Sequence, residues 1–137
     1  MGVGAARVGA VLLAVLALAH VYWAAGATWP AGDERGLSLA VLGSVVPFGP
    51  AVTLPLAVLE GGTSLGVYAY VRDPRRRIAR LVTVAFTAGL LVRGVVGVVW
   101  AVFGKDGSGA VFPWLNALVY TPLCLGLGRA VLRDLRR

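Results

Sequence analysis

Four stretches of this chain are each apolar over about 20 residues, the length that crosses a bilayer's hydrocarbon core at 1.5 Å per helical residue. They run from about Val8 to Thr28, Ala51 to Val71, Leu81 to Phe103 and Ala110 to Leu132. In 137 residues this leaves little besides membrane helices. Composition agrees: 58% of residues are apolar, with 19 glycines besides, and only 14% are charged. A soluble domain of this length has too much surface to hide so much apolar area, and a disordered chain would carry far less of it. The expected fold is all-α, a single four-helix integral membrane bundle.

Leu37 to Pro50 is apolar but short, and it contains Pro47 and Pro50. Its length suits an interfacial or re-entrant piece between helices 1 and 2 better than a crossing. The alternative is a second helix from Leu37 to Leu59, with three prolines in or beside it.

Basic residues set the orientation. The connection after the second stretch, Arg72 to Arg80, holds five arginines; Arg7 precedes the first stretch, and Arg133, Arg136 and Arg137 follow the last. The other two connections hold one cation each, Arg35 and Lys105, beside Asp33, Glu34 and Asp106. Both termini are therefore expected to be cytoplasmic, in a multi-pass protein of the cell membrane. Trp29, Trp100 and Trp114 fall at the opposite ends, where an aromatic belt belongs. The net charge of +7 reads as this orientation signal plus attraction to anionic headgroups, not as a nucleic-acid surface. Arg7, the first apolar run and Ala25-Gly26-Ala27 imitate a secretory signal, but His20, Tyr22 and Trp23 interrupt that run, so cleavage is not expected.

Several chemistries drop out. One cysteine, Cys124, makes no internal disulfide or redox pair, and one histidine, His20, is too few for a histidine-rich metal site or bis-histidine haem. No metal or cofactor is expected. Gly126-x-Gly128 lies in an apolar run without a preceding strand, so it is not a dinucleotide-binding loop.

The polar residues inside the spans stand at nearly one level. Counted from the outer helix ends, His20 and Glu60 lie about 13 Å deep, Arg93 about 16 Å, Asn116 about 9 Å and Tyr120 about 15 Å. Glu60 and Arg93 are the only carboxylate and guanidinium so placed, and a charge at mid-bilayer costs from ~2.5 to over 10 kcal/mol. Pairing of the two is the expected solution, either as a lock between helices or as a proton carrier, acid/base pair or anion clamp, the alternative being Arg93 snorkelling outward. Histidine is the side chain type suited to moving protons near neutrality, and His20 shares a helix face with Trp23. Asn116 and Tyr120 are one turn apart and suit interhelical hydrogen bonds. Gly89, Arg93 and Gly97 form a stripe expected to admit a close neighbour, and Pro113 and Pro122 are expected to bend the last span.

Two motifs, His20-Val-Tyr22-Trp23 and Asn116-Ala-Leu-Val-Tyr120-Thr-Pro122-Leu-Cys124, resemble those of a family of small four-helix bacterial membrane proteins of unknown function. That resemblance implies fold and topology and no activity. A weaker likeness, in residue types alone, is to the emopamil-binding sterol isomerases, which place His, Glu, Asn and Trp in a helical bundle around a hydrophobic cation or sterol.

Three functions follow. In the first, the bundle binds or transforms a lipid-like small molecule: His20 or Glu60 supplies the proton, Arg93 sets the carboxylate's charge, and Trp23, Asn116 and Tyr120 complete the binding wall. In the second it is a proton-coupled transporter or channel component working as an oligomer, a homo-oligomer being one form, because four short helices enclose little room. In the third the polar cluster only holds the helices together.

Overall fold

A computed structural model describes residues 3–104 and 111–136. Every regular element among these is helical: α1 (Gly4–Ala24), α2 (Glu34–Leu42), α3 (Pro50–Arg72), α4 (Arg77–Phe103), α5 (Val111–Leu115), a π-helical turn (Asn116–Tyr120) and α6 (Thr121–Leu135). Four helices are long and apolar enough to cross a membrane: α1, α3, α4 and the continuous run Val111–Leu135. Each contains most of one stretch read from the sequence. The boundaries shift where local chemistry intervenes. α1 ends at Ala24, before Gly26 turns the chain with φ of 91°. α4 begins at Arg77 and α6 runs to Leu135, because arginines near a helix end keep their heads in water while their stems continue the helix. Lys105, Asp106 and Ala110, at the third connection and the start of the fourth stretch, lie outside the described residues.

The segment before α3 forms a short helix and a return loop. Asp33 caps α2 by accepting from the Gly36 amide at 2.6 Å, and Gly43 ends it in the left-handed region with φ of 73°. Ser38 then organises the return, donating to the Ser44 carbonyl at 2.6 Å and accepting from the Val46 amide at 2.7 Å. Glu34 closes it by accepting from the Phe48 amide at 2.5 Å. Nine residues of helix span about 13 Å, too little for a crossing. Pro50 opens α3 at a position that needs no amide hydrogen. The Leu37–Leu59 helix is thereby excluded.

Burial is inverted relative to a soluble bundle. The buried side chains include Thr53, Ser64, Thr83 and Thr87, while Leu18, Val58 and Leu65 are 69%, 76% and 72% exposed. Lipid solvates large apolar groups as well as a core does, so helices in a bilayer associate through small and hydrogen-bonding residues. α1 packs most extensively on α3, through Ala6, Ala10 and Ala17 on one side and Ala57, Ser64 and Val67 on the other. Ser64 donates across this seam to the Ala10 carbonyl at 2.7 Å. The buried hydroxyls of Thr83 and Thr87 bond back to the carbonyls of Ala79 and Thr83. α4 packs next most extensively, on α6. At the arginine-rich end, Asp134 of α6 caps α1 in place of a local residue, accepting from the amides of Ala5 and Ala6 at 3.0 and 3.2 Å.

Candidate functional site

Near the middle of α3, Glu60 faces α1 and accepts from His20 Nδ1 at 2.8 Å. The same ring nitrogen lies 3.0 Å from the Leu16 carbonyl. Both neighbours are acceptors, so Nδ1 is assigned the proton and divides it between them. Nε2 has no hydrogen-bond partner among the described residues, although His20 is 6% exposed. Its ring is met edge-on by Trp23, with centroids 5.1 Å apart, and is stacked on Phe48 at 6.4 Å.

The expected Glu60–Arg93 ion pair is therefore corrected: Glu60 pairs with His20, and among the described residues no carboxylate comes within 4 Å of Arg93. Packing explains why. The small residues along α1 and α3 bring those two helices together, so His20 reaches Glu60 from a helix already in contact. α3 and α4 instead pack tightly near their connecting loop, where a side chain on Gly66 would run into Val82. Beyond that point a methyl group on Gly89 would meet nothing within 4 Å. The space left there is a groove of about 460 Å³ whose walls include Leu13, Glu60, Phe86, Gly89, Arg93 and Cys124.

Arg93 turns toward α6. Its Nη2 donates to Asn116 Oδ1 at 3.0 Å, and its guanidinium carbon lies 5.9 Å from the centre of the Tyr120 ring. Asn116 is fully buried. Its Nδ2 donates to the Gly97 carbonyl at 2.9 Å, and its Oδ1 also receives the Thr121 hydroxyl at 3.4 Å. The sequence leads one to expect bends at Pro113 and Pro122, and at Pro122 the structure has a local change of helix type. Pro122 has no amide hydrogen for the Leu118 carbonyl, and the helix widens to a π turn over Asn116–Tyr120, with the Thr121 amide bonding the Asn116 carbonyl. Tyr120 reaches out of this turn to donate to the Ala40 carbonyl of α2 at 3.2 Å.

The six candidate residues thus fall into two connected groups. Glu60 and Arg93 line the α3–α4 groove, and His20 backs Glu60. Trp23 and Tyr120 line a separate apolar space of about 600 Å³ beneath α2, with Leu37, Ala40, Val111 and Leu115. Trp23 is held there by a bond from its Nε1 to the Trp29 carbonyl at 3.0 Å. Asn116 lines neither space and positions Arg93. The glycine stripe also divides: Gly97 is in close contact, whereas Gly89 faces open space. Reasoning from sequence gave no site role to Phe48, Thr121 or the groove-lining Cys124, although Thr121 and Cys124 lie within the Asn116–Cys124 motif. Among the described residues no three potential metal ligands converge.

No curated protein and no solved structure matches the chain. A family match does cover residues 13–131, a range that takes in both groups of site residues and every element from the middle of α1 to the last turns of α6. The chain belongs to that family, which is described as a protein of unknown function, DUF3995.

Proposed function

We propose that this is a multi-pass protein of the bacterial cytoplasmic membrane, with both termini cytoplasmic, that binds a lipid-like small molecule in the α3–α4 groove. The observation that carries this reading is that Glu60 and Arg93 face one groove of about 460 Å³ without bonding to each other. A polar cluster that only held helices together would satisfy its charges internally, and Asn116 with its three partners is of that kind. Arg93 is not, since its neighbours Asn116 and Tyr120 are both neutral. The remaining walls are apolar apart from Thr63 and Cys124, and Glu60 lies at the middle of α3 and Arg93 past the middle of α4. An open groove of this volume with few convergent polar groups can take one amphiphilic ligand along its wall.

Native mass spectrometry of the protein released from mild detergent tests this. Wild type is expected to retain a hydrophobic small molecule, and Gly89→Leu is expected to lose it. The leucine would enter open space in the groove, and it replaces a glycine within a helix, so the fold should persist. A wild-type monomer or homo-oligomer that flies empty, or a ligand kept by Gly89→Leu, would contradict the reading.

A further inference from the structure

We propose that the ligand of this groove carries an anionic head, a carboxylate or a phosphate monoester, that Arg93 binds. The inference rests on the groove being a ligand site and adds the chemical class of what enters it. A guanidinium is charged at any physiological pH and offers five N–H donors in a rigid fork. Arg93 makes one side-chain hydrogen bond among the described residues, to the neutral amide of Asn116, and it faces one neutral ring, that of Tyr120. The carboxylate on the same groove is engaged elsewhere, by His20 at 2.8 Å. The protein thus brings a permanent cation to mid-span beside the groove, fixes it through an amide itself anchored on the Gly97 carbonyl, and gives it no carboxylate partner among the described residues. An acceptor with two oxygens and a negative charge complements such a fork, and an uncharged alcohol does not. The alkyl chain of such a ligand would lie against Leu13, Phe86 and Leu90, which line the groove beside Arg93.

Cys124 provides the readout, because it is the chain's single cysteine and it lines the groove. Its alkylation by N-ethylmaleimide in mixed micelles would be followed by intact mass while oleate, oleyl phosphate or oleyl alcohol is added. In wild type, at least one of the two anions is expected to protect at a concentration at least about tenfold below the alcohol's. Protection by oleate alone would point to free acids, and by oleyl phosphate alone to lipid phosphates. The preference should vanish in Arg93→Gln and persist in Arg93→Lys, with protection by the alcohol unchanged. Should Arg93→Gln fail to fold, Asn116→Asp supplies Arg93 with an internal carboxylate and should abolish the same preference. Equal protection by all three amphiphiles in wild type would overturn the anionic head while leaving the groove as a ligand site. Protection by none would overturn both.

Discussion

Replacing His20 by leucine should destabilise the protein by about 3 kcal/mol, read as earlier unfolding in an SDS titration of mixed micelles. The loss comes from Glu60. Its carboxylate is only about one-fifth exposed and bonds to the histidine at 2.8 Å, so removing the imidazole strands a polar group at mid-span. Substituting both partners removes the charge as well as its partner, and His20→Leu with Glu60→Leu should return to within about 1 kcal/mol of wild type. An arrangement in which Glu60 paired with Arg93 would behave differently. His20→Leu would then cost about as much as an average interhelical hydrogen bond in a membrane, ~0.6 kcal/mol, and the double substitution would leave Arg93 stranded.

Gly97→Val should be nearly as damaging, by about 2–4 kcal/mol in the same titration. A Cβ at Gly97 would overlap the Thr121 hydroxyl, approach Arg93 Nη1 to 2.9 Å and Asn116 Oδ1 to 3.2 Å. Relief requires Thr121, Arg93 and Asn116 to shift together, which disturbs the Asn116 bond to the Gly97 carbonyl and the seat of Arg93. Gly62→Ala is the matched control. A methyl there would meet nothing within 4 Å, and alanine in a helix gains roughly 0.5–1 kcal/mol over glycine. Equal effects at the two positions would refute the close approach of α4 and α6 at Gly97.

The spans were legible because a bilayer imposes a length on every crossing helix. α3 begins at Pro50, one residue from the position read from sequence, and the capping residues Asp33 and Gly43 that delimit α2 are ordinary signals. An expected depth for each polar residue was legible too, from rise per residue. The partner of Glu60 was not. Depth along a helix says nothing about which neighbour each face meets, and two candidates stood at one level. The choice is made by Ala6, Ala10, Ala17, Ala57 and Ser64, which draw α1 onto α3. Gly89 and Gly97 read alike as small residues beside Arg93. One admits Asn116 and Thr121, and the other opens a groove, because which of them α6 covers depends on the π turn at Asn116–Tyr120. Phe48 carried no signal in its loop, and it meets His20 only because Glu34 ties that loop down.

The most direct test of the central claim, that the α3–α4 groove is a ligand site, is photolabelling of the protein in membranes. The probe would be an alkyl carboxylate bearing a diazirine, with its adducts mapped by mass spectrometry. Adducts should concentrate on Leu13, Phe86 and Leu90, and excess unlabelled oleate or oleyl phosphate should suppress them. Labelling spread evenly over these residues and the exposed Val92, Val95 and Val99 of α4, with no suppression by oleate or by oleyl phosphate, would show a helix surface in contact with bulk lipid and would contradict the claim.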